Sequence, residues 1–510
     1  MGAHSRLPKD GIMKRKSDLY HLINAMSKSE KRYFTVDVQK SNKKGSRYLE
    51  LFHTITAMEP YDEKTLKKKF GTKLPHDKRY LYDAILRSMR DYRSTNSYAA
   101  QIREMILDAR YLFERELYEQ CAERLENAKH LALKMDDQTA MLEIIGEERK
   151  LILGRRQIDF GQELKNLENA LNQVLESIQE EMNYQSYYEK LYTQVAENFE
   201  LKNEKEKTEL QQFFGDKLLN SSPQKSNKAV YRYFQCLALY HQLLGNDDER
   251  LNYYTKVVEW WEENPKNKKE EFYRFIADAS NLLYAYITKG KFDELLALIN
   301  IMESSEPSNQ HDKGVIFQRV SIYKLMYHLN SGKLHNIQEL IDKITWGLNV
   351  YTINKNSRLS LISNLATLLF IKGDTENCAQ WCKRIIKTEK NESRKDVQAA
   401  IGLLYLCAIM EKDEIDETEK GIRMINRFLK KLGVREKNSF EVISLGFLQK
   451  INNAPISEIQ DGYKNFQAYL MQTIEQKHKI AHGMNELLLL WVRSKLEKKS
   501  IINLLGWENG

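Results

Sequence analysis

Apolar residues recur along this chain at spacings of three and four, which is the spacing of one face of an α-helix. In residues 281–302 two apolar stripes flank Gly290 and are formed by Leu282, Leu283, Tyr286, Phe292, Leu295, Leu296 and Ile299. Two short amphipathic helices joined at a corner cannot bury their apolar faces alone. The pattern therefore predicts helix pairs that stack on neighbouring pairs.

Glycines at near-regular intervals mark the corners of four such pairs. Gly245, Gly290, Gly332 and Gly373 are separated by 45, 42 and 41 residues. Alternating apolar and polar segments are almost absent, and the prolines fall between the periodic segments rather than inside them. The predicted fold class is all-α, a right-handed α-solenoid of helix pairs with a period of about 42 residues.

Length and composition favour repetition over several separate cores. The 510 residues exceed the size of one ordinary core, and 29% charged with 42% hydrophobic residues suits long helices with solvated outer faces. The pattern divides the chain into a flexible tail (1–16), a basic helical N-terminal module (17–97), irregular helical repeats with a linker (98–227), regular repeats (228–435) and C-terminal capping helices (436–510).

The N-terminal module has clear local signals for helix ends. Ser27 and Glu30 have the spacing of a capping box, and Gly71 follows a short helix that begins near Asp62. Pro75 then begins a longer helix. A short helix, a turn and a longer basic helix also form the outline of a helix-turn-helix DNA reader.

Positive charge is concentrated in this N-terminal fifth. Residues 1–100 hold 22 Lys+Arg and 11 Asp+Glu, a net charge of +11, whereas the whole chain carries +8. The predicted basic face consists of Lys67, Lys68, Lys69, Arg79, Arg90 and Arg93. Such a face binds either an acidic protein surface or nucleic acid, and we expect the acidic protein because no residue has the pattern of a base reader.

No motif for catalysis or for cofactor binding accompanies these features. Phosphate-binding loops and nucleophile motifs are absent from the sequence, and His478 and His482, four apart, have no third metal ligand near them. We therefore expect no enzyme, no cofactor and no metal. The longest apolar run is too short to cross a membrane, and no signal core precedes residue 25. Five cysteines, an odd number, then favour free thiols and a cytoplasmic location.

One segment resembles a tetratricopeptide repeat. In NLATLLFIKGDTENCAQWCKRII, residues 364–386, the small residue of the first helix falls on Ala366, the corner glycine on Gly373, and the small second-helix residue on Cys378. The resemblance covers roughly residues 101–130 and 228–390. It departs from the family in its period of about 42 rather than about 34, and in lacking the early tryptophan and most terminal prolines.

A second resemblance concerns the N-terminal module. SKSEKRYF, residues 27–34, and RYLYDAILRSMRDY, residues 79–92, are similar to the head module of uncharacterised bacterial proteins with this repeat type. That resemblance implies no known activity.

The tetratricopeptide resemblance implies a concave groove lined by the first helix of each repeat. Mapped through the corner glycines, the groove residues are Arg232, Gln235, Gln242, Tyr284, Thr288, Arg319, Asn330, Ser363 and Thr367. The predicted function is a non-catalytic scaffold or adaptor that binds a peptide or helix of a protein partner in this groove. The alternative is a regulator whose basic module binds nucleic acid and whose repeats sense a peptide or protein.

Overall fold

Helices form all the regular structure that can be described. The computed structural model describes residues 17–41, 47–58, 61–94, 97–155, 160–220, 222–307, 310–334, 336–388, 394–412, 414–434, 436, 439–476 and 480–507. In these ranges there is no strand, so the all-α prediction is confirmed. The predicted tail, residues 1–16, lies outside them. Two compact units divide the chain after Phe272, inside the segment 228–435 that the repeat pattern delimits.

The first unit begins with a module of five helices, α1 Asp18–Ala25, α2 Lys28–Ser41, α3 Arg47–Thr56, α4 Glu63–Phe70 and α5 Leu74–Ser94. The capping box is present at the start of α2, where the Ser27 amide donates to Glu30 Oε2 at 2.7 Å and the Glu30 amide donates to Ser27 Oγ at 3.2 Å. At the other predicted signal, Gly71 ends α4 with φ +70° and opens a short 3-10 turn into α5.

A buried ion pair fixes α5 against the segment that begins α4. Lys78, which is 5% exposed, places Nζ 3.0 Å from Glu63 Oε2 and donates to the Tyr61 hydroxyl at 2.8 Å. Apolar side chains of all five helices form one buried cluster, which includes Phe34 and Phe52. Because the charges are paired and hydrogen-bonded, the lysine tolerates its burial and holds the orientation of α5.

Eight further helices complete the first unit: α6 Tyr98–Phe113, α7 Tyr118–Lys134, α8 Gln138–Arg155, α9 Phe160–Asn198, α10 Glu204–Leu219, α11 Asn227–Leu244, α12 Asp247–Glu263 and α13 Pro265–Glu270. Neighbours in sequence pack on one another, and α11 packs along the long helix α9. The short helix α13 contacts the beginning of α6, where Glu270 Oε2 accepts a hydrogen bond from the Tyr98 amide at 2.9 Å.

Three carboxyl groups hold the predicted linker before α11. Glu180 accepts hydrogen bonds from the amides of Gln224 and Lys225, both at 2.9 Å. The Ser226 hydroxyl lies 3.0 Å from Asp136 Oδ2 and 2.6 Å from Glu181 Oε1. One hydroxyl proton cannot serve two carboxylates, so both contacts are hydrogen bonds only when one carboxyl group is protonated.

The carboxyl group of Glu181 has a raised pKa, which favours its protonated form. Burial raises its pKa, and the neighbouring Asp136 raises it further, while the hydrogen bond with Ser226 acts in the opposite direction. Asp136 Oδ2 also accepts from the Lys228 amide at 2.8 Å. Glu180 therefore holds the backbone amides of the linker, and only the double contact of the Ser226 hydroxyl depends on one proton.

The pH dependence of unfolding tests this proton. Because the folded-state pKa of Glu181 exceeds its unfolded value, this group's stabilisation is complete below about pH 4.3 and is lost as pH rises through the raised pKa. Glu181→Gln retains a donor and should flatten that fall in the free energy of unfolding, measured by urea denaturation across pH. Glu168→Gln, at an exposed position on α9, should leave the profile unchanged. An unchanged profile in Glu181→Gln would exclude the protonated form.

The second unit contains twelve helices in the described ranges: α14 Phe272–Thr288, α15 Phe292–Ser304, α16 Gln310–Ser331, α17 Ile337–Val350, α18 Lys355–Lys372, α19 Thr375–Thr388, α20 Lys395–Met410, α21 Ile415–Leu432, α22 Phe440–Asn453, α23 Ile459–Glu475, α24 Met484–Glu497 and α25 Ile501–Leu505. A 3-10 turn, Ala481–Gly483, precedes α24.

The predicted corner glycines all lie between paired helices. Their φ angles are +75° at Gly245, +66° at Gly290, +71° at Gly332 and +86° at Gly373. This left-handed conformation is strained for residues with a side chain, so glycine ends the first helix without cost and the chain can turn back. The four corner positions are confirmed.

Helices α18 and α20 occupy the middle of the second unit. Helix α18 packs against α16, α19 and α20, and α20 packs against α19 and α21. In addition, α25 packs on α18, and α22 and α24 pack on α20. All residues from Val397 to Met410 in α20 are consequently buried. The C-terminal helices thus add a further layer over these two helices.

Packing at Ala366 tests the arrangement of α18. This alanine is fully buried, so Ala366→Leu should overpack the interface and lower the free energy of unfolding by about 1–3 kcal/mol. Ala297→Leu, at an exposed position on α15, is the matched control and should unfold like the parent. Urea denaturation of both variants gives the comparison, and equal midpoints would contradict the close approach of helices at Ala366.

Candidate protein-interaction surfaces

The predicted groove residues are divided between the two units. Arg232, Gln235 and Gln242 lie on α11 of the first unit. The other six lie on the first helices of the later pairs: Tyr284 and Thr288 on α14, Arg319 and Asn330 on α16, and Ser363 and Thr367 on α18.

On α11 the two glutamines are buried and bonded within the unit. Gln235 is 6% exposed and donates to the Tyr231 hydroxyl at 2.8 Å, and Gln242 accepts from the Tyr254 hydroxyl at 3.0 Å. Arg232 is half-buried and donates to the side-chain oxygen of Gln235. Of these three, only the arginine offers surface to a partner.

On α18 both predicted groove residues are buried. Ser363 is 1% exposed and donates to the Ser360 carbonyl at 3.1 Å, and Thr367 is 8% exposed. Neighbouring helices cover α18, including α25 from the C-terminal layer. The two side chains therefore serve packing in this structure, and a partner reaches them only if neighbouring helices move away.

Specific contacts anchor the C-terminal layer to the ends of α20 and α16. The Trp491 indole donates to Glu411 Oε1 at 2.6 Å, and Lys495 Nζ lies 2.8 Å from the same oxygen. At the end of α16, the Trp507 indole fills the space beside Gly332, where a Cβ atom would lie 2.6 Å from the ring. These contacts join residues far apart in sequence and give the layer a defined position.

The remaining predicted residues keep some exposure. Thr288 and Asn330 are exposed, although Asn330 donates to the Met326 carbonyl at 2.7 Å within its own helix. Tyr284 and Arg319 are half-buried and lie around the buried Tyr323. Burial raises the pKa of Tyr323, so its hydroxyl stays neutral and packs in the core. The structure thus brings Tyr284 and Arg319 close to one shared residue, and it joins Arg232 and Gln235 on α11.

All six residues of the predicted basic face are exposed. Arg79, Arg90 and Arg93 lie on α5 opposite its buried side, and in the described part of the chain none of them forms an ion pair. Lys69 differs, because its Nζ lies 3.0 Å from Glu50 Oε1 on α3. The face therefore presents mainly uncompensated cations, carried by a helix whose opposite side is fixed in the module core.

A second surface, on α6 and α8, was missed by sequence reasoning. Four large apolar side chains are exposed there, Leu107 by 59%, Tyr111 by 56%, Leu142 by 37% and Leu153 by 51%. We call them the α6–α8 stripe. Helices α6 and α8 pack directly on each other, and both are first helices of their pairs. Large exposed apolar residues beside charged groups, here on two helices that pack together, are a feature of protein-binding surfaces.

A ladder of ion pairs joins the two helices beside the stripe. Arg110 Nε lies 2.7 Å from Glu147 Oε1, and its Nη2 lies 2.7 Å from Glu143 Oε1. Arg103 Nη1 lies 2.9 Å from Asp137 Oδ2, at the turn before α8. Burial alone would raise the pKa of Glu147, but the hydrogen bonds from Arg110 and Lys150 outweigh it and lower the pKa. Glu147 therefore stays charged, and ion pairs join α6 and α8 beside the stripe.

A stripe of this kind leaves a weak signal in sequence. Leu107 and Tyr111 are four apart on α6, on the side opposite Ile102, Ile106 and Ala109. A helix that is apolar on two sides predicts a second contact, either within the fold or with a partner. Only the structure shows that the second side is uncovered among the described residues.

Reactive chemistry is sparse among the described residues. No group of three or more His, Cys, Asp or Glu side chains there could hold a metal ion. All five cysteines are buried free thiols, and burial raises the pKa of Cys236, Cys382 and Cys407, which disfavours the reactive thiolate. None of the described helices has the length and hydrophobicity needed to cross a membrane.

Comparisons with known proteins identify no relative of this chain. No family model matches the chain, and neither a curated protein nor a solved structure matches it significantly.

Proposed function

We propose that this protein is a non-catalytic scaffold or adaptor that binds a peptide or helix of a protein partner. The observation that carries the proposal is the α6–α8 stripe, where exposed leucines and a tyrosine lie on a frame fixed by ion pairs. Leucine and tyrosine side chains at four-residue spacing suit the apolar face of an amphipathic partner helix. Because the frame is already ordered, binding costs little further conformational entropy.

The proposal includes the repeat architecture. We infer tetratricopeptide-like helix pairs in a right-handed solenoid with a period of about 42 residues, supported by the left-handed corner glycines and their spacing. The accessible groove residues Arg232, Tyr284, Thr288, Arg319 and Asn330 extend the proposed binding surface within their respective units. The buried free thiols favour a reducing compartment, so we propose a cytoplasmic location.

Partner capture tests the stripe. Leu107→Ser combined with Tyr111→Ser should weaken binding of the partner by about 2 kcal/mol or more, a factor of roughly 30, because buried apolar anchors dominate such interfaces. Tagged protein is used to capture partners from nuclease-treated extract of the source cells, and the bound protein is quantified by mass spectrometry.

The control removes equal apolar surface elsewhere in the first unit. Leu175→Ser combined with Met182→Ser alters α9, where both side chains are exposed, and should leave capture unchanged. Both double variants should keep the helical circular dichroism of the parent. Equal capture by the Leu107/Tyr111 variant and the parent would rule out the stripe as the binding surface.

A second candidate function is a nucleic-acid-binding regulator. It is favoured by the order of the elements: the short helix α4, the Gly71 turn and the longer helix α5 follow one another as in a helix-turn-helix unit. The second of these helices carries exposed arginines. We nevertheless expect the basic face to meet an acidic protein, since a few cations without a clear base reader form a modest footprint on DNA.

Neutralising the basic face separates these two functions. In the variant Arg79→Gln, Arg90→Gln and Arg93→Gln, association with the captured partner should be slower, and the difference should shrink as salt rises. Surface plasmon resonance at several salt concentrations measures this. Lys372→Gln, Lys383→Gln and Lys420→Gln change the net charge equally at exposed positions and should have little effect.

A different result would support the nucleic-acid-binding regulator. If the parent binds a DNA duplex tightly and the arginine variant loses that binding, with a salt slope reduced by about 0.9 per lost phosphate contact, the regulator function is correct.

A further inference from the structure

A cavity of about 230 Å³ opens on the second unit between the end of α15, the first half of α16 and the last turns of α17. Ile316, Phe317 and Val320 of α16 form its floor, and each is less than 10% exposed. Trp346 of α17 and Tyr351 just beyond that helix form a wall. Trp346 is 55% exposed, which is unusual for so large an aromatic side chain.

The aromatic residues hold one another in place. The ring centroids of Phe317 and Tyr351 are 5.2 Å apart, and Trp346 meets Tyr351 edge-on at 5.6 Å. Gly347 allows the Phe317 ring to lie against α17, since a Cβ atom there would be 2.2 Å from the ring. The cavity is therefore preformed, and filling it with an apolar side chain requires no rearrangement of its floor.

Lysines dominate the charge at the rim. Glu303 lies between two of them, with its oxygens 2.8 Å from Lys324 Nζ and 2.7 Å from Lys343 Nζ. Burial alone would raise the pKa of Glu303, but the hydrogen bonds from both lysines outweigh it and lower the pKa. Lys313 is exposed and forms no ion pair within the described ranges. Among the charged residues that line the cavity, one carboxylate, that of Glu303, accompanies Lys313 and Lys343, which leaves a net positive charge in the lining beside an exposed aromatic ring.

We propose that this cavity is a docking site for an acidic peptide segment that inserts one large apolar side chain against Trp346 and Phe317. Carboxylates on either side of that side chain pair with Lys313 and Lys343. An apolar anchor in a preformed pocket supplies the affinity, and the charged rim supplies the preference for acidic sequences. The inference rests on the proposed protein-binding function but uses a surface separate from the α6–α8 stripe.

The lining favours a peptide over a nucleic acid. Besides the charged groups, the described lining offers the hydroxyls of Ser305, Ser321 and Tyr351 and the indole of Trp346, and it includes no arginine, asparagine or glutamine to read a base edge. An aliphatic and aromatic floor matches a leucine or phenylalanine side chain better than a polar base edge.

Fluorescence anisotropy with the full chain tests the proposal. The probe is a short fluorescein-labelled peptide with a central Leu-Phe pair flanked by glutamates. Comparison probes replace the glutamates by lysines, replace Leu-Phe by Ser-Ser, or are a labelled single-stranded oligonucleotide. The acidic Leu-Phe peptide should bind at least about tenfold more tightly than each comparison probe, and its affinity should fall as salt rises.

Variants at the wall and rim locate the binding. Trp346→Ala should weaken binding of the acidic peptide about tenfold or more, while Trp346→Phe retains most of it. Lys313→Gln with Lys343→Gln should weaken binding and flatten its salt dependence. The control Lys372→Gln with Lys383→Gln should bind like the parent. Because Trp346 is largely exposed, thermal melting by circular dichroism should be unchanged in Trp346→Ala.

Binding of the acidic peptide to the cavity does not depend on the α6–α8 stripe. Leu107→Ser with Tyr111→Ser should retain full affinity for the acidic peptide, so failure of one surface does not imply failure of the other. The docking site is excluded if the acidic peptide does not bind, if the lysine peptide or the oligonucleotide binds equally well, or if Trp346→Ala keeps the affinity of the parent.

Discussion

A helix that is apolar on every side must be covered on every side, and α20 imposes this requirement on the second unit. Its residues from Val397 to Met410 are buried without interruption. The paired helices α19 and α21 cover part of its surface, and α22 and α24 cover more. Without such a cover, water would reach a long apolar surface, at a cost of roughly 25 cal/mol per Å² exposed. The C-terminal helices are thus required by the composition of α20.

This cover determines where a partner can bind. It places the second unit's α18 and α20 inside the fold, so the surfaces left for recognition lie elsewhere. The α6–α8 stripe in the first unit and the cavity lined by Trp346 in the second have a common arrangement of side chains. In each, large exposed apolar side chains lie next to a carboxylate held by two cations, Glu147 by Arg110 and Lys150, and Glu303 by Lys324 and Lys343. Fixed charges beside uncovered apolar groups make a preorganised surface.

Local rules predicted much of the fold, because helix ends depend on few neighbouring residues. The Ser27–Glu30 capping box and the positive φ of Gly373 follow from chemistry within one or two helical turns. The burial of Ser363 and Thr367 could not be predicted in this way. It depends on helices that follow in the chain, and the contact between Glu411 and Trp491, which spans 80 residues, shows how distant those partners are.

The candidate sites were harder to predict for a related reason. Leu107 and Tyr111 have the spacing of a core face, and periodicity does not distinguish a covered apolar face from an uncovered one. The raised pKa of Glu181 likewise arises from burial and from the nearby Asp136, and both conditions exist only after folding. By contrast, the exposure of Arg79, Arg90 and Arg93 followed from their shared angular sector on α5, opposite Leu81 and Ile85.

Amide hydrogen exchange of α20 tests most directly whether the C-terminal layer covers this helix. Trp491 is 1% exposed and joins α24 to Glu411 at the end of α20. In the full chain carrying Trp491→Ala, exchange measured by mass spectrometry should accelerate in residues 397–410 and 484–492 and stay unchanged in α6 and α8. Unchanged protection of α20 in this variant would contradict the requirement for a C-terminal cover.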